Sequence, residues 1–239
     1  MVTGGFQVWT SLSTSPLLWI AVTLAAYLAG QRFQDRMSGK AWASPVLIAI
    51  TLCVTVLSLT GTPYRQYFAG AQFIHFLLGP VTVALGVPLA RNIRHVRQSL
   101  AGITIALIAG SAVSIVSGIL LVVLLGGSKQ IAISMAPKAV TTPIAMAVVE
   151  QVGGLPALTA VLAILGGVIA AITGEPLLRR FGVKDWRAHG LAAGVAGSGV
   201  AASQVAGRDP LAAAFSALGI GINGLVTALM APLIIRFLS

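Results

Sequence analysis

Ten residues in the second half of the chain decide its fold: Ala136-Pro137-Lys138-Ala139-Val140-Thr141-Thr142-Pro143-Ile144-Ala145. The stretch places one lysine, two adjacent threonines and two prolines among apolar residues. Proline lacks the backbone N–H and clashes with the preceding turn, so a helix must begin late here or break. Interrupted backbone is tolerated at membrane depth only where it is buried in protein or lines a polar cavity. An ionisable group in such a place marks a candidate functional site.

The rest of the chain has the composition of a membrane protein. It has 239 residues, of which 57% are hydrophobic and only 8% are charged, whereas a soluble domain carries about 25% charged residues. The net charge of +10 does not form one basic patch, because Lys and Arg fall in short clusters between apolar runs. That distribution is typical of cytoplasmic loops, and it argues against nucleic-acid binding.

Six apolar runs are predicted to be full transmembrane helices, since about 20 apolar residues cross a bilayer. Their approximate bounds are Pro16–Gly30, Ser44–Thr60, Phe73–Ala90, Leu100–Leu125, Leu155–Leu178 and Leu211–Phe237. Two shorter apolar pieces remain, Pro137–Val152 and His189–Ala206, and both are rich in small or polar residues.

The predicted fold is therefore an all-α polytopic membrane protein with about six full helices and two short broken or re-entrant segments. It forms a single integral membrane domain over residues 1–239. Residues 16–125 supply the first four helices, residues 137–206 a core with both broken segments and one full helix, and residues 210–238 the last helix.

The distribution of basic residues predicts how the chain crosses the membrane. Three clusters follow the first, third and fifth runs: Arg32, Arg36 and Lys40; Arg91, Arg94 and Arg97; and Arg179, Arg180, Lys184 and Arg187. The preference of Lys and Arg for the cytoplasm puts these clusters inside and the N-terminus outside. The charge count is satisfied if each short segment enters and leaves on the same face, the first from outside and the second from inside. Short, Gly- or Pro-interrupted segments of this kind are typical of secondary transporters. Short helices that cross the membrane in pairs are the alternative.

Lys138 is the first candidate ligand of a substrate. An ammonium group beside a helix start, with the hydroxyls of Thr141 and Thr142 one turn on, is suited to a carboxylate, because the first N–H groups of a helix attract anions. Pro143 would supply the break. The alternative is a lysine that snorkels from a helix end to the interface.

Three polar residues elsewhere are further candidates for the same cavity. Ser198 and Gln204 are polar members of the second short segment. Asn223 lies in the middle of the last apolar run, where a buried amide either joins helices or lines the substrate path.

The sequence lacks the residue patterns of an enzyme. It has no HExxH zinc motif, no P-loop and no paired membrane aspartates. The Gly197-Ser198-Gly199 turn has a hydroxyl but no evident base. We therefore expect no catalytic residue, no metal ligand and no cofactor.

The chain resembles the LrgB/CidB/YohK family of bacterial membrane proteins from about Pro45 onward. The resemblance is densest in three blocks: Phe76–Leu85, Pro137–Ala147 and Ala214–Leu218. One block departs from the family pattern, because Gly197–Gln204 lacks the histidine, threonine and arginine that relatives have there. The resemblance implies a bacterial inner-membrane protein, either a carrier of short monocarboxylates such as glycolate, glycerate or pyruvate, or a holin-like regulator of murein hydrolase activity and lysis. It also implies a small membrane partner of the LrgA/CidA type.

These observations lead to one hypothesis. The chain is predicted to be a secondary transporter of small organic anions that works by alternating access within the lipid bilayer, as a homo-oligomer. The predicted substrate-binding residues are Lys138, Thr141, Thr142, Pro143, Ser198, Gln204 and Asn223. The alternative is a holin-like pore or regulator of lysis.

Overall fold

The structure is a computed structural model that describes residues 15–37, 43–77, 80, 84 and 86–238. All regular secondary structure within these residues is helical. The helices group into two compact units, residues 1–84 and residues 85–239.

The described residues of the first unit form three helices: α1 (Pro16–Arg36), α2 (Pro45–Thr60) and α3 (Tyr64–Phe76). Helix α1 packs against both of the others. Its Trp19 is 1% exposed and meets the ring of Tyr67 edge-on, with ring centroids 5.8 Å apart.

The predicted bounds of the N-terminal runs hold in part. The first run was predicted to end at Gly30, but the helix continues to Arg36. Gly30 instead marks a close approach to α2, because a Cβ there would lie 2.7 Å from the carbonyl oxygen of Pro45. Helix α2 matches its predicted run to within one residue. Lys40 and residues 78, 79, 81–83 and 85 of the third predicted run lie outside the described residues.

The second unit contains eight described helices: α4 (Gly86–Arg91), α5 (Ile93–Gln98), α6 (Leu100–Leu124), α7 (Lys129–Met135), α8 (Thr142–Gln151), α9 (Pro156–Arg180), α10 (Trp186–Ala206) and α11 (Pro210–Leu238). Within the described part of the chain, three helices are long and apolar enough to cross a membrane, namely α6, α9 and α11. Helix α2 is apolar but has only 16 residues. The described residues therefore contain three candidate spans, whereas the sequence predicts six.

The first short segment is longer than the sequence predicts. It begins with α7, eight residues ahead of the predicted start at Pro137, because Ser128 caps a helical turn there by accepting a hydrogen bond from the Ile131 N–H at 3.4 Å. Helix α7 ends at Met135, and α8 begins at Thr142. The predicted interruption therefore falls at residues 136–141.

The second short segment is also a broken helix. It begins at Trp186 rather than at His189, because the Asp185 carboxylate accepts a hydrogen bond from the Arg187 N–H at 2.8 Å and caps the helix. Within α10, Ser198 has φ 48° and ψ −139°. This conformation is foreign to a helix and divides α10 into two halves.

Contacts with α9 show where the first segment lies. At the N-terminal end of α9, the Leu155 N–H donates to Ser134 Oγ at 2.8 Å, and Thr159 Oγ1 donates to the Ser134 carbonyl at 2.9 Å. Helix α8 returns to the same end, since four residues separate it from α9. Between them, the Lys138 carbonyl approaches Gly166 in the middle of α9. The segment thus enters and leaves at one end of α9.

The second segment enters and leaves at the other end. The guanidinium of Arg179 lies 5.6 Å from the centre of the Trp186 ring, at the start of α10. Just beyond the end of α10, Arg208 forms an ion pair with Glu175 of α9 at 2.8 Å. The Gly197 carbonyl at the break lies against Gly167, in the middle of α9.

The two ends of the second unit differ in charge. We call the C-terminal end of α9, with the residues packed around it, the basic end. It carries Arg179, Arg180, Lys184, Arg187 and Arg208, and Arg187 Nη1 reaches Ser99 Oγ of the adjoining α5–α6 turn at 3.4 Å. The opposite end, where α7 begins and α11 finishes, carries Lys129 and Arg236.

Candidate functional site

Lys138 lies half-buried in the first interruption and reaches the middle of α6. Its Nζ donates to the carbonyl oxygen of Ser114 at 2.6 Å and to Ser114 Oγ at 3.3 Å. The Lys138 side chain can lie against α6 because the next turn of that helix carries Gly118. A Cβ at this position would lie only 2.7 Å from Nζ. An ammonium group has three donors, so one N–H remains for another ligand.

Lys138, Ser114 and Asn223, which we call the polar centre, lie at mid-length of the candidate spans. Ser114 is the fifteenth of 25 residues in α6, and Asn223 is the fourteenth of 29 in α11. Gly166 and Gly167 are the eleventh and twelfth of 25 in α9. At 1.5 Å per residue, Ser114 is about 15 Å from the nearer end of its helix. Lys138 is therefore not a lysine at the end of a span.

The threonines and the second proline form the start of α8. Thr141 is the N-cap residue, but its side chain makes no capping hydrogen bond. Thr142 and Pro143 are the first two helical residues, and the Ala145 N–H closes the first turn onto the Thr141 carbonyl at 2.9 Å. Neither threonine is fully buried. The first N–H groups of a helix lack intrahelical partners, so this helix start can receive an anion.

Asn223 is placed at the same centre but is fully engaged. Its side-chain N–H groups donate to the carbonyls of Ala139 at 3.1 Å and Val195 at 3.0 Å. Its Oδ1 accepts from Ser111 Oγ at 2.6 Å and from Thr227 Oγ1 at 3.4 Å. The residue is 1% exposed. Of the two roles that the sequence left open, the joining of helices is the one that these contacts fit.

Ser198 forms the tip of the second segment. Its hydroxyl is buried and has no hydrogen-bond partner among the described residues. Its backbone lies in the left-handed region, which residues other than glycine rarely adopt. The neighbouring Gly197 permits the contact with α9, because a Cβ there would lie 2.7 Å from the Cβ of Ala170.

Gln204 is six residues beyond Ser198 in the second half of α10. That spacing is about 9 Å along a helix, so Gln204 lies toward the basic end rather than at the level of Asn223. The structure thus groups Lys138, Thr141, Thr142, Pro143 and the neighbouring Asn223, and leaves Gln204 further away.

The site includes α6 residues that the sequence did not assign to it. Ser111 holds the amide of Asn223, and Ser114 holds the ammonium of Lys138. The spacing of Gly110, Ser114 and Gly118 predicts close helix packing, and it could have drawn attention to this face of α6. Contacts at Gly110 and Gly118 confirm the packing.

The ion pairs between described residues of the second unit lie at the basic end. Glu175 pairs with Arg179 at 2.9 Å, as its helical spacing predicts, and also with Arg208. Side-chain hydrogen bonds from Arg187 lower the pKa of the Asp185 carboxyl. Among the described residues, no group of three His, Cys, Asp or Glu side chains is arranged to hold a metal ion.

Comparison with known proteins gives one consistent result. A family model described as the LrgB-like family matches residues 23–237. The "Antiholin-like protein LrgB" of Bacillus mycoides is 29% identical over 225 residues, which cover 94% of this chain and 98% of the relative. The protein of the same name from Bacillus cereus strain B4264 gives the same values. No solved structure gives a significant match.

Proposed function

Because the chain belongs to the LrgB-like family of multi-pass membrane proteins, we propose that it is a secondary transporter of small organic anions. The observation that carries the proposal is the position of Lys138. Its ammonium group lies at mid-length of α6, bound to a backbone carbonyl, and Lys138 precedes the start of α8 by four residues. A charge at membrane depth is costly and is found mainly where it has a function.

In the proposed topology, the two broken segments are re-entrant and approach the centre of the membrane from opposite faces. The basic end faces the cytoplasm, because Lys and Arg are retained there. The segment formed by α7 and α8 then enters from the periplasmic face, and α10 enters from the cytoplasmic face. In this topology the three N-terminal runs and the helices α6, α9 and α11 are the six full crossings of a bacterial inner membrane, with the N-terminus in the periplasm.

The proposed anion site combines a charge with a helix start. The third N–H of Lys138 donates to a carboxylate, while the hydroxyls of Thr141 and Thr142 and the first N–H groups of α8 supply neutral donors. Pro143 keeps α8 from extending toward α7. The hydrogen-bonding groups of Asn223 are all occupied, the Ser198 hydroxyl is buried, and Gln204 lies away from this centre. The proposed contacts with the anion are therefore those of the first interruption and the start of α8.

The proposed substrates are short monocarboxylates such as glycolate, glycerate or pyruvate. A small anion fits a site with one ammonium group and a single helix start. Alternating access would come from motion of the second unit within a homo-oligomer. A small LrgA-type membrane protein is a proposed partner.

A holin-related role is the second candidate, and the names of the relatives favour it. In that case the polar centre would serve assembly of a pore or regulation of lysis rather than recognition of one substrate. The two roles differ in selectivity. A carrier saturates and distinguishes anions from neutral solutes, whereas a pore passes large dyes.

Uptake of labelled glycolate by proteoliposomes tests the proposal. Lys138→Gln should lower the initial rate at least about tenfold, because the charge-assisted contact is lost. Lys184→Gln is the matched control, since it removes the same charge from the loop before α10, and it should retain uptake. Equal rates in Lys138→Gln and wild type would contradict the proposed site. Dye release without saturable uptake would favour the pore.

A further inference from the structure

The two interruptions meet at one side chain. Ala139 belongs to the first interruption, and Val195 lies three residues before Ser198 in the second segment. The carbonyl oxygens of both residues accept hydrogen bonds from the same nitrogen, Nδ2 of Asn223, at 3.1 and 3.0 Å.

The remaining bonds of Asn223 fix its orientation. A side-chain amide has two N–H donors and an oxygen with two acceptor positions. Ser111 and Thr227 occupy the acceptor positions, at 2.6 and 3.4 Å. A ligand would therefore have to displace an existing partner in order to bind this amide, and the amide is almost fully buried.

Each segment is also tied to α9 at its base. Ser134 of α7 is hydrogen-bonded to Leu155 and Thr159. At the basic end, Arg208 is ion-paired with Glu175. Opening one segment alone would break both its ties to α9 and its bond to Asn223.

We propose that Asn223 is a positioning residue that locks the tips of the two interrupted segments into one body. The segments then move together, rather than opening as two separate gates. The inference deepens the proposed function, because the lock holds Ala139 between Lys138 and Thr141. The lock itself needs no substrate and can be measured without one.

Amide hydrogen exchange of the purified full chain in lipid nanodiscs tests the lock directly. Asn223→Asp keeps the shape of the side chain but replaces the donor nitrogen by an oxygen that faces two carbonyls. We expect exchange to quicken at least about tenfold both in residues 136–141 and in residues 195–199, because opening of a local unit controls exchange. Glu175→Gln should quicken exchange only in the second half of α10 and the link to α11.

The exchange experiment has clear contrary outcomes. A change in only one of the two segments, or in neither, would overturn the lock. If Asn223→Asp does not fold, Ser111→Ala is the milder variant, since it removes one bond to the amide and should quicken both segments to a smaller extent. Unchanged exchange in folded Ser111→Ala would also count against the lock.

Glycolate uptake separates positioning from direct contact. Ser111→Ala leaves the Asn223 side chain in place. Uptake by this variant should therefore survive if Asn223 acts by contacting the anion directly. If Asn223 positions the tips, uptake should fall about threefold, and Ser111→Thr should restore it because the hydroxyl returns. Thr104→Val, on an exposed face of α6, is the control. If wild type takes up no glycolate, the proposed function fails, while the exchange result still decides the lock.

Discussion

The two interruptions of the second unit are built in different ways. The first leaves six residues outside helices and contains a lysine, a proline and the capping threonine. The second consists of one residue, Ser198, in a left-handed conformation between two glycines. The first supplies charge and hydroxyl groups, whereas the second supplies shape. Two segments with similar courses can therefore have separate tasks: recognition of an anion is the task proposed for the first, and close packing is the task of the second.

The largest expected effect concerns packing. It compares Gly166 and Gly167 of α9, which lie beside the first and the second interruption respectively. A Cβ on Gly167 would lie 3.0 Å from the Gly197 carbonyl, whereas a Cβ on Gly166 would lie 3.8 Å from the Lys138 carbonyl. Gly167→Ala should therefore destabilise by about 2 kcal/mol through overpacking. Gly166→Ala should be neutral or stabilising, since Ala favours a helix. Thermal unfolding in detergent measures the stability of both variants. Equal effects would show that the second interruption can shift to accommodate the added methyl group.

The next effect concerns recognition. Replacing both hydroxyls at the start of α8, as Thr141→Val with Thr142→Val, should lower glycolate uptake about tenfold, or about 1.4 kcal/mol. Ser198→Ala should lower uptake less than about twofold, because its enclosed hydroxyl has no partner to lose. Initial rates in proteoliposomes measure both. A large loss in Ser198→Ala would instead make the second tip a ligand contact, as the sequence predicts.

A smaller effect concerns backbone strain at Ser198. Glycine adopts positive φ without the steric cost of a Cβ, so Ser198→Gly should stabilise the protein by about 1 kcal/mol. The melting temperature should rise, whereas glycine in the first half of α10, as in Ala193→Gly, should lower it. A fall in the melting temperature of Ser198→Gly would mean that the left-handed conformation is not the native one.

The smallest effect concerns the base of the second segment. Glu175→Gln removes the ion pairs with Arg179 and Arg208, both of which are partly exposed. Such pairs contribute about 0.5 kcal/mol each. The melting temperature should fall slightly at low salt and hardly at all at high salt, because salt screens exposed charges. A loss that is independent of salt would indicate a role other than charge pairing.

The first interruption could be predicted from sequence because its cause is local. Two prolines limit where a helix can run, and Thr141 is of a residue type that caps helices. The family and the three candidate spans among the described residues were likewise predictable from patterns within single segments, and the family match confirms the recognition. The prolines therefore predicted a helix start within a few residues of its place at Thr142.

The rest could not be predicted because it depends on distant backbone atoms. Asn223 binds carbonyls 84 and 28 residues away, and Lys138 binds the carbonyl of Ser114, 24 residues away. Every residue has a carbonyl, so such partners leave no mark in the sequence. The left-handed conformation of Ser198 is equally hidden, since serine is ordinarily compatible with a helix.

The use of main-chain acceptors by Asn223 has a consequence for how the sequence can diverge. The amide binds peptide oxygens rather than the side chains of Ala139 and Val195. Substitutions of similar volume at those two positions leave its partners in place. Evolution can therefore vary the surroundings one position at a time, without the paired changes that a contact between two side chains would demand.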